Sequence, residues 1–155
     1  MVFGADHAVL LDRLDEALGV APEPTPELFS KIIAIACTRI PILSKLGRAG
    51  RIARLVEAGG WTDAALALIE FELPLWKVRR LVHEDGSWFC SLSRQPALPV
   101  TLDETADASH ELMPLAIVLA FLRARRIAGV CPQAIAAVPA IQATADGTLC
   151  CDNFA

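Results

Sequence analysis

An α+β fold, mainly helical with one antiparallel β-hairpin inside an α-β-β-α unit, is what this sequence predicts, on three observations. Apolar side chains recur at helical spacing through most of the first 72 residues and again after Ser109. One stretch between, residues 76–92, turns β-branched and aromatic. That stretch carries the turn signal Glu84-Asp85-Gly86 at its middle.

The elements follow in order. Residues 6–18 set Val9, Leu10, Leu14 and Leu18 on one stripe and Asp12, Arg13, Asp15 and Glu16 on the other face, an amphipathic helix that Gly19 terminates. Pro22, Pro24 and Pro26 alternate next, so the chain there is extended. A second helix starts near Thr25, with Pro26 at its first position and Glu27 in its first turn. It runs through Phe29, Ile32, Ile33, Ile35 and Ala36 to about Arg39 and is apolar on more than one face, so something must bury it. Residues 41–58 read as helical again, broken at Gly47 or Gly50 and ended by Gly59-Gly60. Thr62 is the expected N-cap of a helix over 63–72, stopped by Pro74.

The hairpin admits two registers. A three-residue loop with Gly86 left-handed gathers Val78, Arg80, Val82, Trp88, Cys90 and Leu92 on one face. A two-residue turn at Asp85-Gly86 instead puts Arg79, Leu81 and His83 with Trp88, Cys90 and Leu92. The first collects more large apolar side chains and is preferred, with Trp88 and Cys90 facing the helices. Pro96 and Pro99 make residues 95–100 irregular, and the capping-box pattern Thr101-x-x-Glu104 predicts a short helical turn over 102–108. The strongest helix begins near Ser109 or His110 and carries Leu112, Leu115, Ala116, Val118, Leu119 and Leu122. It tolerates Pro114 in its first turn and ends in Arg123, Arg125 and Arg126, which complement its dipole. Residues 1–60 thus form a helical N-terminal portion, 61–129 the αββα unit and 130–155 a tail with one short helix, all within one compact domain.

Leu73-Pro74-x-Trp76 leading into the hairpin, Asp85-Gly86-x-Trp88-x-Cys90 across its turn, and the apolar helix after Ala108-Ser109-His110 together make a pattern. It resembles the small αββα sandwich proteins found among uncharacterised bacterial and phage-derived sequences. The resemblance covers residues 62–126, implies a fold and brings no activity with it.

Composition narrows the function classes. At 54% hydrophobic and 21% charged the chain is not disordered, and a net charge of -4 argues against a nucleic-acid binder. Arg39, Pro41 and Lys45 interrupt the most apolar stretch, so no membrane span is expected, and the N-terminal residues do not read as a secretory signal. A cytoplasmic location is the expectation. Cys37, Cys90, Cys131, Cys150 and Cys151 are odd in number and irregularly spaced, which predicts no structural disulfide. Scattered His7, His83 and His110 predict no metal site, no cofactor is implied, and no catalytic motif stands out. A Cys90–His83 dyad is set aside because the preferred register parts them. Arg48, Arg51 and Arg54 share one helix side and read as a solvated face beside Glu57. The candidate ligand-binding residues are Arg80, Trp88 and His110, the last near a helix start, where a neutral imidazole is favoured. The functional expectation is a non-catalytic interaction module, a homodimer through residues 26–46 or a binder of a protein partner. The alternative is a small-ligand binder or enzyme with a pocket between hairpin and helices near His110.

Overall fold

The computed structural model describes residues 3–37 and 47–130. The element order is α1 (Phe3–Gly19), α2 (Pro26–Ala36), α3 (Gly47–Glu57), α4 (Trp61–Glu72), β1 (Lys77–Glu84), β2 (Ser87–Ser93), a 3-10 turn (Val100–Leu102), β3 (Thr105–His110) and α5 (Met113–Val130). The class is α+β and mainly helical, as the periodicity predicts. The tail, with Cys131, Cys150 and Cys151, lies outside the described residues, as do positions 38–46, which hold the end of the predicted second helix and the start of the predicted segment over 41–58.

Helix α5 organises the rest. Every residue from Leu115 to Leu122 is buried, and a helix apolar all round must be walled on every side. β2 and β3 pack against one side of it, and α4 and α1 against the other, while α1, α2, α3 and α4 touch one another in succession. α2 starts as its sequence dictates: the Thr25 side chain accepts from the Leu28 N–H at 3.2 Å and Pro26 occupies the first turn. Its last carbonyls, orphaned by the helix end, accept from side chains of α1 and α5. His7 Nε2 reaches the Ile35 oxygen and Arg125 Nε the Ala36 oxygen, each at 2.8 Å. Phe29 is fully buried and its ring stacks at 5.3 Å on Trp61 of α4.

The second helix therefore finds its covers. Phe29, Ile32, Ala36 and Cys37 are buried, and Leu28, Ile33 and Ile35 pack half-buried on the same core. Among the described residues α2 shows no fully exposed large aliphatic side chain.

Five local expectations are corrected. The hairpin is extended by a third strand: β3 pairs antiparallel with β2, giving a sheet of order β1-β2-β3 where a helical turn over 102–108 was expected. The capping-box residues fall instead on a 3-10 turn and on the approach to β3. The strand has a period of two, with Ala106 and Ala108 buried between exposed Asp107 and Ser109. Small side chains are what a strand pressed directly onto α5 can accommodate.

The turn is the two-residue type. Asp85 and Gly86 both have positive φ (51° and 80°), the signature of a type I′ turn, and Glu84 faces Ser87 across it. Leu81 consequently faces Cys90 and His83 faces Trp88, so the preferred three-residue register is overturned. An irregularity between Val78 and Arg80 then makes Arg79 the extra residue of a bulge, which restores Val78 opposite Leu92. Trp88, half-buried, and Cys90, fully buried, do face the helices as expected.

α4 begins at Trp61 behind Gly60, with no side-chain cap, so Thr62 is not its N-cap. α5 begins at Met113, because residues through His110 belong to β3, and continues to Val130. The arginines therefore lie before its last turn and serve as clamps instead of dipole partners. Arg126 Nη2 meets Asp12 of α1 at 2.7 Å, Arg123 Nε stands 3.9 Å from Asp15, and Arg123 Nη1 donates to the Asp107 carbonyl of β3.

Candidate functional site

The three predicted ligand-binding residues do not converge. β-strand alternation puts Trp88 and His110, directly paired across β2 and β3, on the helix-covered face. Arg80 projects from the opposite, open face, where its guanidinium pairs with Glu84 at 3.1 Å and lies 5.8 Å from the Phe89 ring centre. His110 Nδ1 accepts from the Leu112 N–H at 2.9 Å, so that nitrogen is committed to the lead-in of α5. His83, on the other flank of Trp88, meets its ring in a tilted contact at 5.0 Å between ring centres. The two histidines flank one indole from strands two apart, about 10 Å, too far to share a metal ion.

Correcting the register brings His83 and Cys90 onto the same face, but the thiol is not activated. Burial first, and then the nearby Asp107 charge, push the Cys90 thiol up from 9.0 to about 12. Cys37 is likewise pushed up to about 12, by burial and then by Glu72, with Arg125 opposing. Both are free, buried and protonated at neutral pH, the state of inert core thiols. Among the described residues no group of three or more His, Cys, Asp or Glu is placed to hold a metal ion. No helix among them is long and apolar enough to cross a membrane. Arg51 and Arg54 are exposed, as a solvated helix face requires; the side chain of Arg48 lies outside the described set.

The surface that stands out lies at the end of the sheet away from the hairpin turn. Leu75, Val100 and Leu102 are 72%, 66% and 72% exposed. Leu75 and Leu102 line an open groove of about 430 Å3 together with Arg94, Gln95, Asp103 and Glu104. The floor is rigidly built. Asp103, its side chain only 3% exposed, accepts from Arg79 Nη1 and from Ser93 Oγ, both at 2.5 Å. Arg79 Nη2 donates to the Leu98 carbonyl at 2.8 Å, and the Gln95 N–H donates to Ser93 Oγ at 2.9 Å. The bulge that makes Arg79 the extra residue of β1 is what lets it reach across to this loop.

Charge at the groove is already answered within the chain. Arg94 pairs with Glu104 at 3.6 Å and covers the Trp76 ring at 5.6 Å, while Asp103 belongs to Arg79. The groove therefore offers a guest two aliphatic side chains on a polar rim, not a spare charge. Sequence reasoning passed over these residues. The available signal was isolated aliphatics beside prolines in loops, Pro74-Leu75 and Pro99-Val100-x-Leu102, where no helix or strand periodicity could bury them.

Comparison with known proteins finds no match: no family model, no curated protein and no solved structure matches this chain.

Proposed function

We propose that this chain is a small non-catalytic interaction module that docks a protein through the Leu75–Leu102 groove. The observation that carries the reading is the exposure of Leu75, Val100 and Leu102 on a braced loop, where most other large aliphatics among the described residues are buried or half-buried. Covering Leu75 and Leu102 alone would contribute about 2–4 kcal/mol of apolar burial, a fair share of a specific contact. A rim of already paired charges favours protein docking over chemistry on a charged substrate. Free, buried Cys37 and Cys90 suit a reducing compartment, so the cytoplasm is the proposed location.

The test is the paired substitution Leu75→Ser with Leu102→Ser. Both residues are exposed, so thermal stability should stay within about 2 °C of the parent. In extract of the native cells, the parent should migrate in size exclusion above the position of the purified chain at the same concentration and the variant at it. Identical migration of the two would count against the reading.

A further inference from the structure

The sheet has two edges, β1 and β3, and among the described residues a side chain bonds to an outward backbone group of β3 and none to β1. A type I′ turn makes Glu84 and Ser87 a hydrogen-bonded pair, so Glu84, Val82 and Arg80 direct their backbone groups to β2. By the same alternation Trp88, Cys90 and Leu92 bond to β3, and Asp107 points its carbonyl away from the sheet. That carbonyl accepts from Arg123, which agrees with the phase and occupies one outward group of the β3 edge. On β1 the outward groups belong to Leu81 and His83. Among the described residues no hydrogen bond reaches them.

We infer that the β1 edge pairs with β1 of a second copy, antiparallel about a two-fold axis at Val82, to make a continuous six-stranded sheet. Charge selects this register. With the axis at Val82, Arg80 of each copy stands directly opposite Glu84 of the other, in the closer, non-hydrogen-bonded sites. Val82 meets Val82 between the two ion pairs, and Leu81 exchanges both backbone hydrogen bonds with His83 of the second copy. An axis at Arg80 would oppose two guanidiniums, and one at Leu81 would set each arginine against a valine. In the single chain Arg80 and Glu84 already bond each other along the strand at 3.1 Å while 57% and 63% exposed. The pairing exchanges that solvated contact for two direct cross-strand ones. This surface lies apart from the Leu75–Leu102 groove and does not depend on it.

Sedimentation velocity of the full chain across a concentration series provides the test, with circular dichroism as the check on folding. The parent should show a concentration-dependent dimer. Arg80→Glu alone and Glu84→Arg alone should each weaken it roughly tenfold or more, because both cross-strand pairs become repulsive. An equal mixture of the two single variants should recover a dimer, since one chain then carries carboxylates at both positions and the other guanidiniums. His83→Pro, which removes an outward donor without touching the bonds to β2, should leave a folded monomer. A parent that stays monomeric throughout overturns the inference but leaves the groove reading intact. So does a dimer indifferent to these variants, or a mixture that fails to recover it. A dimer lost only with Leu75→Ser and Leu102→Ser would assign self-association to the groove and overturn the edge pairing.

Discussion

Asp103→Ala removes the acceptor that ties the groove loop to the sheet. The aspartate carboxylate takes hydrogen bonds from Arg79 Nη1 and Ser93 Oγ on one oxygen, and its side chain is 3% exposed. Losing the bond to the arginine costs about 1.5–3 kcal/mol, the range for a charged partner. Ser93, fully buried, keeps the Gln95 N–H as a donor but loses its acceptor, adding about 1 kcal/mol. Arg79 retains its bond to the Leu98 carbonyl and is 18% exposed, so water relieves part of its stranded charge. The total is about 2–4 kcal/mol, or roughly 5–15 °C in melting temperature for a chain of this size. Urea denaturation measures the loss directly, as a lower midpoint at unchanged slope. The double variant Arg79→Met with Asp103→Leu should cost less than the sum of the single changes, because neither charge is then left alone. An Asp103→Ala protein within about 0.5 kcal/mol of the parent, or strict additivity in the double variant, would refute the bracing role.

The hairpin turn gives a second outcome: Gly86→Ala meets open space but must hold φ +80°, so it should cost about 1–2 kcal/mol by strain alone, read from the melting temperature. Cys37 and Cys90 should resist alkylation of the native protein at pH 8 and react on unfolding, as followed by mass spectrometry. Their folded pKa values are raised from 9.0 to about 12, so their contribution is complete below pH 9 and falls as pH rises towards 12. A pH series of urea midpoints should decline across that window, less steeply in a Cys37→Ala and Cys90→Ala double variant.

Where side-chain periodicity spans several turns, the sequence was legible. The stripe Leu14–Leu18, the Thr25-Pro26 start and the apolar run 115–122 all appear where helical spacing puts them. β3 was hidden because its inward residues are Ala106 and Ala108, whose β preference is poor and whose smallness answers only to the helix pressed on them. The hairpin register turned on Asp85, which accepts a positive φ at modest cost, and on a bulge at Arg79 that no local pattern announces. Counting large apolar side chains favoured the other face; the bulge supplies what that count missed by returning Val78 to the side of Leu92. Of the site candidates, Trp88 and His110 share a face as cross-strand partners. Arg80 falls on the reverse because one residue in the turn inverts the whole strand. The groove depends on loop residues joined by contacts between positions 79, 93, 98 and 103, which sequence order keeps apart.

Site-specific photo-crosslinking in the native cells tests the docking claim most directly. A photoreactive residue replacing Leu102 is compared with one replacing Val20, which is more exposed (83% against 72%) but lies outside the Leu75–Leu102 groove. The account predicts one defined protein adduct at position 102, lost when Leu75→Ser is added, and none at position 20. Equal labelling at both positions, or an adduct at 102 that persists with Leu75→Ser, would contradict it.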